Sequence, residues 1–160
     1  DEAKREHRES EGDPQLKGQI RSRQREAARR RMLSAVPSAD IVVVNPTHYA
    51  VAIRYDEAAG GAPRVVAKGL DELAMRIQAI ARESGVPVLS APPLARALYA
   101  HVELDQEIPQ ALYVAVAQVL VYVYQLKRWI PGRSTAPQAP VDLPVPTEMD
   151  PKHSEKGKHA

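Results

Sequence analysis

Ile41-Val42-Val43-Val44-Asn45-Pro46-Thr47-His48-Tyr49-Ala50-Val51-Ala52-Ile53-Arg54-Tyr55 is the stretch on which the architecture turns. Ile41 to Val44 is an apolar, β-branched run, the pattern of a strand buried on both faces. Asn45-Pro46 punctuates it as a turn dipeptide. Tyr49 to Tyr55 then resumes a strand-like pattern, so two strands joined by a short turn are predicted. Asp56 to Pro63, with Gly60-Gly61 inside it, reads as a loop. Arg64-Val65-Val66-Ala67-Lys68 is a third strand.

Beyond Lys68 the apolar period changes from two to about 3.6. Leu73, Ile77 and Ile80 fall at i, i+4 and i+7, with Ala74 and Ala81 beside them, which makes one face of a helix. Asp71 is placed to act as its N-cap and Gly85 as the residue that closes its C-terminus. Val86-Pro87-Val88-Leu89 is a fourth, short strand, and Pro87 confines it to a sheet edge or a strand start. Pro92-Pro93 opens a helix running from Leu94 to Val102, since proline is tolerated in a first turn. After Pro109, propensity and pattern disagree. Val114, Val116, Val119, Val121 and Val123 favour a strand by β-branching, whereas Leu112, Val116, Val119, Val123 and Leu126 form a helical stripe. The uninterrupted length of the segment decides for a helix. The predicted order is β-β-β-α-β-α-α, an α/β domain with a small mixed four-stranded sheet covered by helices.

Three regions are predicted along the chain. Residues 1–34 are polar and, in their second half, basic: Lys17, Arg21, Arg23, Arg25, Arg29, Arg30 and Arg31 stand against a single Glu26. A long, solvated linker helix from Gln15 to Leu33 is expected there. Residues 35–130 form the globular domain. Residues 131–160 hold six prolines and few large apolar groups, so a disordered tail is expected.

Composition narrows the chemistry. The 160 residues include no cysteine, which excludes disulfides and thiolate metal sites, and no phenylalanine, so the core is built from Val, Leu, Ile and Ala. The net charge of +2 names no partner by itself. Ala111 to Leu126 is the most apolar stretch, but it is shorter than the roughly 20 residues that span a bilayer and it carries Gln118 and Gln125. The five histidines show no metal spacing, Gly60-Gly61 lacks the strand–helix setting of a phosphate loop, and no serine sits in a nucleophile elbow. Glu103, Asp105 and Glu107 read as a solvated helix end. No cofactor is expected. The basic stretch Lys17 to Arg31 allows contact with nucleic acid or an anionic membrane surface, although the absence of interleaved aromatics argues against single-strand recognition.

Asn45-Pro46-Thr47-His48 is the one tetrapeptide with a distinctive chemistry. Its plain reading is a turn between two strands. Its sharper reading is self-cleavage. The Asn45 side-chain amide attacks its own backbone carbonyl, forms a succinimide and breaks the bond to Pro46. The usual competitor, deamidation, needs an N–H on the following residue, and proline has none. With Pro46 at the second position of a turn, the Asn45 carbonyl would accept a hydrogen bond from the His48 N–H, which polarises the electrophile as an oxyanion donor does. His48 is also placed to move a proton, and Thr47 to orient the loop.

These residues resemble the self-processing segment of the FlhB/YscU family. So do Val65-Val66-Ala67-Lys68-Gly69, the block from Pro92 to Tyr99, and Ile108-Pro109 with the helix after it. Glu11-Gly12-Asp13-Pro14, Arg29-Arg30-Arg31-Met32 and Tyr49-Ala50-Val51 are similar to the flagellar branch. The resemblance spans Glu11 to Trp129. It implies a four-helix membrane domain ahead of residues 1–34 and a place on the cytoplasmic side of the bacterial inner membrane. It also implies autocatalytic cleavage between Asn45 and Pro46, a single turnover rather than enzymatic activity, with the two pieces staying together. The implied role is in switching type III export from rod–hook to filament substrates. The implied partners are flagellar export apparatus components, a hook-length control protein and the export substrates, with no nucleic acid. A docking module in which cleavage is incidental is the alternative.

Overall fold

The computed structural model describes residues 13–152. The chain divides into two compact units, one ending at Ser34 and the other starting at Ala35. Among the described residues, the first holds one helix, α1 (Pro14–Ala35, its last residue already in the second unit), whose residues through Met32 are almost all exposed. Pro14 at its start suits a first turn, where the missing N–H has no intrahelical partner to lose.

The second unit holds strands β1 (Ile41–Asn45), β2 (Tyr49–Arg54), β3 (Arg64–Leu70) and β4 (Val88–Ser90), with helices α2 (Asp71–Glu83), α3 (Pro92–His101) and α4 (Tyr113–Arg128). The order along the chain is the predicted β-β-β-α-β-α-α. The sheet runs β3-β2-β1-β4. β1 and β2 pair as an antiparallel hairpin from Ile41↔Ile53 to Asn45↔Tyr49. β2 and β3 are antiparallel with a register shift between Ala52 and Ile53, and β4 lies parallel to β1. β4 is an edge strand and begins just after Pro87, so both placements left open by the proline hold. The Pro87 carbonyl still accepts from the Val42 N–H at 2.9 Å, so the proline gives up no ladder acceptor.

Alternate residues of the strands face opposite sides of the sheet. Ile41, Val43, Val51, Ile53 and Val65 face α3 and α4 and form one cluster with Leu94, Leu98, Leu112, Val116 and Val119. Val42, Val44, Ala50, Ala52 and Ala67 are equally buried, and α2 packs on the sheet through Ala74, Ile77 and Ala81. Coverage on both faces is why β1 reads as a continuous apolar run rather than an alternating one. Each fully buried Val, Leu or Ile among them contributes about 1.5–3 kcal/mol by leaving water.

Two details of α2 differ in outcome. Gly85 (φ 74°) closes the helix as expected: its N–H donates to the Arg82 carbonyl at 3.3 Å, and the Val86 N–H donates to Ala81 at 2.8 Å. That is the paired pattern of a left-handed C-terminal cap. Asp71 is not the N-cap. Leu70 holds that position, no side chain caps the helix, and Asp71 is its first residue with φ 48°. The reason lies in the neighbouring turn, described below. The Val-rich final segment is a helix, with a short 3-10 turn (Gln110–Leu112) between Pro109 and α4.

Past α4 the described residues contain no α-helix or strand as far as Asp150, only an isolated bridge between Pro131 and Ser134 and a 3-10 turn at Thr147–Met149, in keeping with the proline content. Within this stretch Leu143, Val145 and Met149 touch the apolar core. Asp150 takes a bidentate pair of bonds from Arg96 at 2.7 and 2.9 Å. Its carboxylate, by accepting from the guanidinium, raises the Arg96 pKa further above its ordinary value.

Candidate functional site: the Asn45–His48 turn

The hairpin between β1 and β2 closes over Pro46, Thr47 and His48. Asn45 is the last residue of β1 and is partly buried, while the next three are exposed. The strands dictate this geometry. Val44 pairs with Ala50 and Asn45 with Tyr49, so the three residues between them must reverse the chain. The His48 N–H donates to the Asn45 carbonyl at 2.8 Å, which is the turn bond expected with Pro46 at the second position. One residue back, the Val44 carbonyl accepts from the Ala91 N–H at 2.9 Å, at the entrance to α3. The Asn45 carbonyl is thus both fixed and polarised.

The end of β3 brings α2 to the same place. Tyr49 pairs with Leu70, so the next residue, Asp71, lies beside His48. The Asp71 N–H donates to the His48 carbonyl at 3.1 Å, and its carboxylate lies 3.5 Å from His48 Nδ1. These two contacts account for the left-handed backbone of Asp71, a conformation that aspartate tolerates better than most residues. Both side chains are largely exposed, so their attraction is screened by water. Two turns further along α2, the Gln78 side chain donates from Nε2 to the Pro46 carbonyl at 2.9 Å.

Asn45, Pro46, Thr47 and His48 therefore share one turn, with Asp71 and Gln78 added by α2. No sequence signal marked Gln78: it follows Ile77 on an amphipathic helix and reads as a solvated neighbour of the buried stripe. Asp71 was legible only as a helix start. On the β2 side, Tyr49 packs its ring on Tyr99 at 5.2 Å between centroids. Lys68 sits over the Tyr99 ring and donates to the Tyr99 and Val102 carbonyls at 3.0 and 2.9 Å, tying β3 to α3.

Elsewhere, an open apolar groove of about 480 Å³ lies between α4 and the segments before β3 and after α3, lined by Tyr55, Ala62, Pro63, Ile108, Ala117 and Leu120. Val121 (54% exposed) and Tyr124 (41%) stand at it. The Tyr124 hydroxyl donates to the Glu57 carboxylate, and this bond pushes its pKa up to about 12. Glu107 belongs to the loop after α3 rather than to a helix end. It pairs with Arg64 at 3.2 Å and bridges β3.

A mixed four-stranded sheet with helices on both faces, whose first hairpin carries Asn-Pro-Thr-His, defines a class of small α/β domain. Residues 1–123 match the profile of the FlhB HrpN YscU SpaS Family, and the chain belongs to that family. It is 57% identical over 145 residues to the flagellar biosynthetic protein FlhB of Escherichia coli (strain K12), covering 91% of this chain and 38% of that protein. The FlhB protein of Bacillus subtilis (strain 168) is 50% identical over 125 residues, covering 78% and 35%. The chain thus spans little more than a third of the length of these relatives. The crystal structure of the cytoplasmic domain of FlhB from Shewanella putrefaciens superposes with a TM-score of 0.70 at 49% identity, covering 76% of this chain and 95% of that one. A mutated EscU C-terminal domain matches with a TM-score of 0.56 at 28% identity, covering 57% and 92%.

Proposed function

We propose that this chain is the cytoplasmic part of a flagellar type III export component that cuts itself once, between Asn45 and Pro46. One observation carries the reading. The Asn45 carbonyl, flanked by a residue that cannot support deamidation, is held and polarised by the His48 N–H within a rigid hairpin. In the reaction, the Asn45 side-chain nitrogen bonds to the Asn45 carbonyl carbon. The bond to Pro46 then breaks, and the proton lost by the amide ends on the proline nitrogen. The products are a succinimide at residue 45 and a secondary amine at Pro46, and water later opens the succinimide. On this reading His48, whose Nδ1 lies 3.5 Å from the Asp71 carboxylate, carries the proton, and Thr47 shapes the turn. No external co-reactant is needed before the hydrolysis.

Cleavage frees a loop at one end of the sheet and adds two chain ends to its surface. On this reading, that local change is what shifts export from rod–hook to filament substrates at the cytoplasmic face of the inner membrane. The hook-length control protein and other export components act as partners. The full-length protein carrying Asn45→Ala tests this in flagellated cells. It is expected to keep secreting rod–hook proteins and fail to secrete filament protein. Normal filament secretion by that variant would remove cleavage from the function.

The groove beside α4 favours a second, compatible activity. Its exposed Val121 and Tyr124 in an apolar setting suit a short apolar segment of an export substrate. Val121→Lys is expected to weaken substrate binding in a pull-down with a rod–hook protein while leaving the cleavage rate unchanged.

A further inference from the structure

We infer that Gln78 is a positioning residue for the scission at Asn45–Pro46, an inference that rests on the self-cleavage proposed above. Gln78 is 3% exposed and is the only uncharged polar side chain buried in the core among the described residues. An amide so placed is costly unless it is bonded, and this one is aimed at the turn. Nε2 donates to the Pro46 carbonyl at 2.9 Å, while Oε1 accepts from Arg82 at 3.4 Å. The carbonyl it holds belongs to the residue whose nitrogen must leave.

The scissile bond is thereby clamped on both flanks. On the acyl side, Ala91 holds the Val44 carbonyl and His48 holds the Asn45 carbonyl. On the leaving side, Gln78 holds the Pro46 carbonyl from α2. Attack by the Asn45 side chain demands a fixed carbonyl carbon and a leaving nitrogen held at a fixed angle to it. Small displacements of such groups cost large factors in rate. After the break, the same bond keeps the new Pro46 terminus at the mouth of the hairpin.

The test is a time course of intact mass after synthesis of the whole chain in a cell-free extract. The parent is compared with Gln78→Met, which keeps shape and loses the donor, and Gln78→His, whose Nε2–H restores a donor near the same point. Gln78→Met is expected to slow cleavage by about tenfold or more, and Gln78→His to recover most of the rate. In the uncut Asn45→Ala background, the Met substitution is expected to leave Tm nearly unchanged. Gln78→Glu repeats the comparison should the Met variant not fold. A purely packing role predicts the reverse order, with Met near the parent rate and His impaired. That order, or equal rates in all three proteins, overturns the inference. A parent chain that stays whole overturns the self-cleavage reading itself.

Discussion

Pro46 has two effects at one position. It removes the N–H through which the chain would attack the Asn45 side chain, and it fixes the backbone for the second place of a turn. Pro46→Ala restores the N–H. We expect a smaller cleaved fraction, and an uncut remainder that gains the mass difference between an amide and a carboxylic acid. Complete cleavage at the parent rate, with no deamidated species, would show that blocking deamidation is immaterial. The turn tetrapeptide and the His48-to-Asn45 bond were legible because proline after a β-branched run leaves few alternatives. Gln78 was not, because a polar residue next to a buried stripe looks the same whether it faces water or a carbonyl. Asp71 misled for a related reason. An acidic residue at a helix start signals a cap, and only the pairing of Tyr49 with Leu70 shows that it is turned toward His48 instead.

At the scale of elements, the β3–α2 junction sets the geometry of the turn. A Cβ added to Gly69 would lie 2.7 Å from Leu73 Cγ, so the first turn of α2 packs directly on the β3 backbone. Gly69→Ala is expected to cost about 1–3 kcal/mol in urea unfolding. It should also slow cleavage, because α2 carries Asp71 and Gln78. An unchanged stability would mean that Leu73 simply changes rotamer. Strands and helices were legible from period and punctuation, and the main differences were at ends: β3 runs on to Leu70, and β4 starts only after Pro87. The Val-rich α4 shows why length outweighed β-propensity. Sixteen residues without a breaker fit a helix lying across the sheet, whereas strands in this sheet run three to seven residues. Tertiary packing of Leu112, Val116, Val119 and Val123 then overrides the local preference.

For the whole molecule, the proposed break falls between two strands of one sheet that pair over five positions. Both also have second neighbours, β4 for β1 and β3 for β2. The cut domain is therefore expected to elute as one species in gel filtration and to separate only in denaturant. Separation under native conditions would rule out any function that depends on a retained complex. Self-cleavage is read out by intact mass under denaturing conditions together with N-terminal sequencing of the products. The predicted result is two fragments that sum to the chain, or to the chain plus one water once the succinimide opens, with one fragment beginning at Pro46. A single mass equal to the full chain, unchanged over days near neutral pH, would contradict it and leave Asn45-Pro46 as a turn.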